Sequence, residues 1–222
     1  MTNPKGAITY RIPTMTSPDV PLTIAFVFSE MEISAPVGLQ TREFVLRPLL
    51  ASDAELDYDA VMESREFLRR WEQSTWPEDD FTFEANRQDL LKAERRHANG
   101  DAFTYTVMNL GETECLGCVY VLPPDAKMFT GAQVAAIGAG QWSDCDATVF
   151  FWVRKSRLPE GLDRTLLDSL ITWFEREWSF KAPVIVTSEQ FDQQVATIEG
   201  TDLRRRFEVK VPDAPGKYLA YA

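Results

Sequence analysis

The amino-acid sequence predicts a protein of the α/β (α+β) class, with a central mixed sheet flanked by helices and an N-terminal extension. Short β-branched and aromatic runs alternate with longer segments of helical periodicity. The apolar strand Ala147–Val153 leads through a turn with Pro159 and Gly161 into an amphipathic helix that begins at Leu162. Another apolar run, Pro183–Thr187, follows that helix and is expected to pair with the first strand in parallel, as in a strand–helix–strand crossover.

The N-terminal part differs in composition from the rest of the chain. Residues Met1–Gln40 are rich in Pro and Thr and contain one strand-like run, Leu22–Phe28. We interpret this part as an arm or an extra strand that precedes a main domain over residues 41–222. An arm of this kind can pack on a second copy, which would give a homodimer. The main domain is predicted to begin with the strand Phe44–Arg47, which Pro48 ends.

Two helices and a hairpin are predicted next. Ser52 and Glu55 form a capping box that opens the first helix, which ends before Trp76-Pro77. The second helix runs from Thr82 to His97 and stops at Asn99-Gly100, which is a C-terminal signal. A Gly-containing turn then joins two strands into a hairpin. These strands are Ala102–Asn109 and Cys115–Leu122.

The segment Asp125–Asp146 contains three glycines and several alanines, and its residues follow no clear period. No regular element is predicted there. A connection of this length is either a mobile lid over a substrate or an inert insertion. After the crossover, Ser188 is expected to cap a short helix, Glu189–Ile198, and a terminal antiparallel pair closes the chain. Its strands are Arg206–Val211 and Lys217–Tyr221.

Length and composition limit the function. The chain has 222 residues, of which 45% are hydrophobic, so it can bury one sizeable core. A net charge of −11 disfavours nucleic acid and anionic membranes as partners and suits a cationic partner such as an amine. No run approaches the ~18 apolar residues of a membrane span, and no signal-peptide pattern opens the chain. The odd number of cysteines, 3, indicates reduced thiols and a cytoplasmic location.

The turn between strand and helix has the features of an anion site. Backbone N–H groups at a helix N-terminus point towards one place, and the helix dipole favours negative charge there. Four basic residues surround the turn, which would strengthen an anion site. The alternative is a plain strand–loop–helix connection whose basic side chains are solvated. In either case the four basic residues are Arg154, Lys155, Arg157 and Arg164.

Several of these features together resemble the GNAT family of N-acetyltransferases, particularly uncharacterised bacterial members. The order of elements from Phe44 to the C-terminus matches that family. The amino-acid sequence of the hairpin from Phe103 to Tyr120 is also similar to that of its members, and so is the dipeptide Trp76-Pro77. In that family the fourth core strand splays and pairs with pantetheine, and the following turn holds the pyrophosphate. The family pattern Gln/Arg-x-x-Gly-x-Gly/Ala, aligned on Gly161, places Leu158 and Asp163 at the other two positions. An aspartate at that place is expected to repel the pyrophosphate.

The resemblance implies an acyl-CoA-dependent N-acyltransferase. The implied reaction is acetyl transfer from acetyl-CoA to a primary amine of a small molecule or peptide. The alternative is a GNAT-fold protein that has lost catalysis and serves as a binding or assembly module. The residues that the resemblance assigns to CoA are Trp152, Val153, Arg154, Gly161, Leu162, Asp163, Arg164 and Thr165.

Candidate catalytic residues follow from the same resemblance. The family places a carboxylate on the fourth strand, and here that position is Ala147, next to Asp146. The family's tyrosine on the last helix is missing, so Tyr120 is the candidate that protonates the leaving thiolate. Ser188 stands where the family often positions water or pantetheine, although a plain helix cap also explains it. Tyr120 could equally be a core tyrosine.

The end of the first helix and the loop after it would wall the acceptor pocket. Aromatic rings and carboxylates there could hold a cation, or they could be core packing and a solvated acidic loop. The residues are Trp71, Trp76, Asp79 and Asp80.

The spacing Cys115-x-x-Cys118 invites a metal or redox interpretation. Residues i and i+3 of a regular strand face opposite ways, so we expect these thiols to be structural and predict no metal. His97 is the one histidine of the chain, and its place near a helix end favours contact with solvent or with the helix dipole.

Overall fold

The computed structural model describes residues 24–28 and 31–222. A separate two-stranded sheet precedes the main sheet, and its strands are β1 (Ile24–Phe28) and β2 (Met31–Ala35). The predicted strand Leu22–Phe28 is therefore present from Ile24 onwards, and Met1–Thr23 lies outside the described residues. Phe28 stacks on Phe103 of the main sheet, with ring centroids 5.5 Å apart, so this hairpin joins the core.

The main sheet has nine strands among the described residues. They are β3 (Leu39–Gln40), β4 (Val45–Pro48), β5 (Phe103–Met108), β6 (Cys115–Leu122), β7 (Gln133–Ala136), β8 (Ala147–Val153), β9 (Pro183–Ser188), β10 (Arg205–Lys210) and β11 (Tyr218–Tyr221). Their order is β3-β4-β5-β6-β8-β9-β11-β10-β7. All neighbours are antiparallel except β8 and β9, which run parallel. The predicted mixed sheet and its parallel crossover are confirmed.

Within the described residues, five α-helices pack on the two faces of this sheet. They are α1 (Ala54–Glu63), α2 (Arg65–Glu72), α3 (Phe83–Asn99), α4 (Leu162–Glu177) and α5 (Asp192–Glu199). Helices α4 and α5 bury Leu166 and Ile198 in the core of one face. Helices α1 and α2 bury Val61 and Leu68 in the core of the other. No helix in the described part of the chain combines the length and the apolar character that a membrane crossing requires.

The helical region before the hairpin differs in detail from the prediction. The helix begins at Ala54, after a 3-10 turn in which the Asp53 carboxylate accepts the Leu50 N–H at 3.0 Å, so the capping box predicted from Ser52 is wrong. The helix also breaks at Ser64, which is fully buried and whose hydroxyl accepts the backbone N–H of Lys155. A polar contact with the loop after β8 thus interrupts a continuous helical pattern.

The ends of α3 are as predicted, whereas its histidine is not. The Thr82 hydroxyl accepts the Ala85 N–H at 3.1 Å, and Gly100 ends the helix in the left-handed conformation. His97 is buried, however, and its Nδ1 lies 3.2 Å from the backbone nitrogen of Thr104. Its ring meets those of Phe103 and a neighbouring tyrosine edge-on. Burial lowers the pKa of His97, which favours the neutral form of this core histidine.

The segment Asp125–Asp146 has regular structure, so the prediction of no element there is wrong. Its strand β7 forms the edge of the sheet next to β10, and short 3-10 turns lie on either side. Phe129 of the first turn is buried and packs edge-on against Trp142 of the second turn, with the two ring centroids 5.3 Å apart. All four side chains of β7 are exposed. The strand is held by the pairing of its backbone with β10. Because its side chains are exposed, its sequence shows no alternation of apolar and polar residues that could predict it.

Candidate functional site

Strands β8 and β9 separate after a short paired stretch. They pair at three positions only, Ala147–Val149 with Pro183–Ile185, whereas β8 pairs with β6 as far as Val153. A gap therefore opens between the two parallel strands from Phe150 onwards. Helix α4 begins beyond the end of β8, at the mouth of this gap. A parallel pair that parts in this way exposes backbone groups of β8 that a ligand can pair with.

A glutamine of α5 now spans this gap. Gln194 is 2% exposed, and its side-chain nitrogen donates to the Phe151 carbonyl of β8 at 2.8 Å. Its oxygen accepts from the Thr187 hydroxyl of β9 at 2.5 Å. One side chain thus satisfies backbone and hydroxyl groups on both separated strands. The sequence offers a weak signal for it, because Gln194 shares a helical face with Phe191 and Ile198, which are both buried.

The turn before α4 leaves room for an anion at Gly161. This residue has φ of +75°, which favours glycine, and a Cβ placed on it would meet no atom within 4 Å. Thr165 donates its N–H to the Gly161 carbonyl, as the start of an α-helix requires. The side chains of Trp152, Val153 and Leu162 are buried in the core. For these three predicted CoA contacts, only the backbone is available to a ligand.

The first turn of α4 carries its own carboxylate. Asp163 is buried, and it accepts hydrogen bonds from the Thr197 hydroxyl at 2.9 Å and the Gln193 amide at 3.3 Å, both on α5. It also accepts the Arg164 N–H at 2.9 Å. This negative charge interacts favourably with the positive end of the helix. Asp163 therefore joins α4 and α5 at the turn that was predicted to bind an anion.

Most of the basic charge around the turn is already paired. Arg154 lies 2.6 Å from both Asp59 and Glu63 of α1. Arg157 pairs with Glu114 and Glu160, and Arg164 pairs with Asp168. Of the four basic residues, Lys155 alone makes no ion pair in the part of the chain described here, and it is exposed. The predicted basic cluster thus neutralises carboxylates, and little of its charge remains for a ligand.

Tyr120 lies level with the start of the gap. It is opposite Phe150, the first residue of β8 that has no partner on β9. Trp152 donates its indole N–H to the Tyr120 hydroxyl at 3.2 Å, and burial raises the pKa of Tyr120 well above its ordinary value. The Trp71 ring packs 5.9 Å from Tyr120. The buried indole N–H of Trp71 has no hydrogen-bond partner among the described residues.

Asp146 and Ser188 lie at opposite ends of β9. The Asp146 carboxylate accepts the backbone N–H groups of Lys181 and Ala182 and so fixes the start of that strand. The Ser188 hydroxyl accepts the Gln190 N–H at 3.0 Å. Helix α5 begins at Asp192, so the predicted cap and the predicted start at Glu189 are wrong. A strand of 6 residues separates the two candidates, about 20 Å, which is too far for one catalytic site.

The structure divides the predicted acceptor residues into two groups. Trp71 is buried on the sheet face and meets Phe150 edge-on at 6.2 Å. Trp76, Asp79 and Asp80 follow α2 in a loop, where both carboxylates are exposed. Asp79 accepts from an arginine of α2 at 2.8 Å. Trp71 is therefore the predicted acceptor residue that lies beside Tyr120.

Comparison with known proteins identifies the fold. No family model and no curated protein matches the sequence. Solved structures do match. The ribosomal-protein-S5-alanine acetyltransferase from Vibrio fischeri aligns over 83% of this chain and 94% of its own, with a TM-score of 0.61 and 17% identity. The ribosomal L7/L12 α-N-protein acetyltransferase RimL, solved in complex with coenzyme A, aligns over 82% of this chain and 93% of its own, with a TM-score of 0.60 and 14% identity.

A third similar structure is the microcin C7 self-immunity acetyltransferase MccE, solved in complex with acetyl-CoA and AMP. It aligns over 84% of this chain and 96% of its own, with a TM-score of 0.62 and 14% identity. The predicted fold is therefore confirmed: the chain has the fold of the GNAT N-acetyltransferases.

Proposed function

We propose that this protein is an acyl-CoA-dependent N-acyltransferase that moves an acetyl group from acetyl-CoA to a primary amine of a small molecule or peptide. The observation that carries the proposal is the gap between β8 and β9, which opens towards the N-terminus of α4. The fold is shared with acetyltransferases solved with coenzyme A or acetyl-CoA. Because one fold can serve many functions, the proposal depends on how well this gap can accept the cosubstrate.

The turn fits a pyrophosphate better than the gap fits a pantetheine arm. The open space at Gly161 and the first N–H groups of α4 would hold the phosphates, and Lys155, which makes no ion pair among the described residues, would add positive charge at the turn. The pantetheine amides would pair with β8 where Gln194 now binds the Phe151 carbonyl. Gln194 must therefore swing away before the arm can lie along β8, and Asp163 must tolerate the phosphate charge.

The residues around Tyr120 suit the second half of the reaction. The amine nitrogen attacks the thioester carbonyl, the C–N bond forms, the C–S bond breaks and the amine proton passes to water. The departing thiolate needs a proton, which we assign to the Tyr120 hydroxyl, and water then reprotonates the tyrosine. Burial raises the pKa of Tyr120, so the hydroxyl carries its proton when the thiolate leaves. Holding the thioester against the amine supplies the rest of the rate enhancement.

Acetyl-CoA binding tests the proposal directly. Calorimetry and thermal unfolding should show one acetyl-CoA per chain, with a stabilisation of about 2.7 kcal/mol at a hundredfold excess over Kd. ATP is the anionic control, and turnover on a panel of amines then identifies the acceptor. Gln194→Ala should bind acetyl-CoA about fivefold more tightly, because one competing hydrogen bond of about 1 kcal/mol is removed. Gln88→Ala, at an exposed glutamine of α3 whose amide contacts Glu84, is the matched control and should leave affinity unchanged.

The contacts of Gln194 and Asp163 also favour the second candidate, a binding module without catalysis, since both occupy places that the cosubstrate needs. If the wild type, Gln194→Ala and Asp163→Asn all fail to bind acetyl-CoA at millimolar concentration, the binding module replaces the enzyme.

Location and assembly form part of the same proposal. Cys115, Cys118 and Cys145 are all free thiols, which supports the cytoplasm, where thiols are kept reduced, as the site of action. A homodimer is tested by light scattering on the eluting protein, where the mass of a monomer would argue against it.

A further inference from the structure

Three buried side chains with metal-binding atoms meet between α1 and β6. Asp57 comes from α1, and Cys115 and Cys118 come from β6. Each is at most 3% exposed. The expectation that the two cysteines face opposite ways is wrong, because β6 is irregular between them. Val107 of β5 pairs with Gly117, but the next residue of β5 pairs with Cys115, so one residue of β6 bulges and both thiols face α1.

The spacing of the three side chains matches that of a metal site. One ligand atom from each residue lies within 4.8 Å of the other two. The Cys118 thiol donates to Asp57 Oδ1 over 3.6 Å. Zinc binds sulfur at about 2.3 Å and carboxylate oxygen at about 2.1 Å, so a tetrahedral site has a sulfur–oxygen edge of about 3.6 Å. The cluster could thus accept an ion with little movement of Asp57 or Cys118.

The charge around Asp57 is unusual for a buried carboxyl group. The groups that face it are the Asn86 amide of α3 at 2.9 Å, the two thiols, the Tyr120 hydroxyl of β6 and the carboxylate of Asp53, which is itself paired with Arg47. No Lys, Arg or His in the described part of the chain pairs with Asp57. Buried carboxylates are normally paired with a cation or bound to a metal. Here two thiols and a second carboxylate occupy the surroundings of Asp57 where a cation is needed.

We propose that Asp57, Cys115 and Cys118 bind a zinc-class divalent cation. Thiolates select zinc and cadmium over magnesium and calcium, which prefer oxygen ligands alone. Binding replaces the thiol protons, so two S–H bonds break, two metal–sulfur bonds form and two protons pass to solvent. Affinity therefore rises with pH. The ion would fix α1 to β6 on the face that carries Tyr120, and the inference does not depend on the proposed acyl transfer.

Cadmium is the direct probe, because its thiolate complexes absorb in the ultraviolet. The reduced full chain is titrated with Cd²⁺ after removal of the reductant, and Zn²⁺ affinity is measured by competition with a chromophoric chelator. We expect one ion per chain, with the absorption of two thiolates. Cys118→Ser and Cys115→Ser should each weaken binding by at least about 100-fold, and Asp57→Asn by about tenfold. Cys145→Ser removes the one remaining thiol and should bind as the wild type does.

Because the site is buried, the same titration is repeated on protein refolded from urea with the metal present. A second measurement on the wild type avoids any misfolded variant. After brief maleimide treatment in mild urea, zinc should protect Cys115 and Cys118 but leave Cys145 labelled. The proposal is overturned if refolded wild type binds neither ion at micromolar concentration. It is also overturned if Cys145→Ser alone abolishes binding, or if zinc leaves the labelling of all three thiols unchanged.

Discussion

Replacing Asp57 with Asn tests how the interior of this protein carries a carboxyl group. Asp57 is 3% exposed, and burial raises its pKa from 3.8 to about 6, against the opposing hydrogen bonds from Asn86 and Cys118. The proton is therefore held more tightly in the folded chain than in the unfolded one. The stabilisation from this group is complete below the unfolded pKa of 3.8 and is lost as the pH rises to about 6.

The size of this effect follows from the shift. Two pKa units at 1.36 kcal/mol each correspond to about 3 kcal/mol of unfolding free energy. Asn does not titrate, so the unfolding free energy of Asp57→Asn does not fall in this way as the pH rises. In the variant the new amide faces the amide of Asn86, and one of them must reorient. That cost is the same at every pH, so the pH dependence of the difference between the two proteins is diagnostic.

The assay is urea unfolding of both proteins at intervals between pH 3.5 and pH 7.5, with a chelator present to keep out metal ions. The wild type should lose about 3 kcal/mol relative to the variant across this range. Asp192→Asn, at an exposed position on α5, is the control and should follow the wild type. Parallel curves for wild type and Asp57→Asn would refute the reasoning, because they would mean that the native carboxyl group titrates normally.

Three further predictions concern the proposed site. Arg154→Ala leaves the carboxylates of α1 without their partner and should lower the unfolding free energy, measured by urea titration, by about 2 kcal/mol. The control is Arg87→Ala, which breaks an exposed ion pair on α3 and should change the unfolding free energy by less than about 0.5 kcal/mol. Asp163→Asn should raise acetyl-CoA affinity by at least about tenfold in calorimetry, since it removes a carboxylate from beside the phosphates; an unchanged affinity would place the phosphates elsewhere, and Asp192→Asn is its control. Tyr120→Phe should lower kcat by about 100-fold with KM unchanged; an unaltered kcat would exclude this tyrosine as the proton donor.

The parts of the fold that sequence predicts are those with a local cause. The hairpin strands and the crossover consist of apolar runs bounded by breakers, and the ends of α3 carry their own caps in Thr82 and Gly100. The break at Ser64 could not be predicted, because its cause is a hydrogen bond from Lys155, far along the chain. The same holds for β7, whose exposed side chains carry no period.

The candidate site is predictable in outline only. The place of the turn and the residues along β8 follow from the strand–turn–helix pattern. Whether the gap between β8 and β9 is open or spanned by a side chain does not follow from that pattern. It depends on Gln194, which bonds to two strands that are distant from each other in sequence. The bulge that turns Cys115 and Cys118 to one face is likewise a property of how β6 pairs with β5. Such contacts decide whether a fold binds its ligand, and pairwise spacing along the chain does not reveal them.

The difference between a lid and an edge strand at β7 can be settled with two proline substitutions. Ile137 donates its N–H to the carbonyl of Arg206 on β10 at 2.7 Å. Antiparallel pairs alternate between bonded and non-bonded positions, so Ala135, two residues earlier, also directs its N–H towards β10, whereas Val134 directs its N–H away. Both side chains are exposed, so packing differs little between the two sites. Ala135→Pro should therefore lower the unfolding free energy by about 1–3 kcal/mol more than Val134→Pro, because it alone removes a ladder hydrogen bond. Urea unfolding of the two variants measures the difference. Equal stability of the two would mean that the segment does not hold this pairing in solution, and the lid hypothesis would then be the better account of Asp125–Asp146.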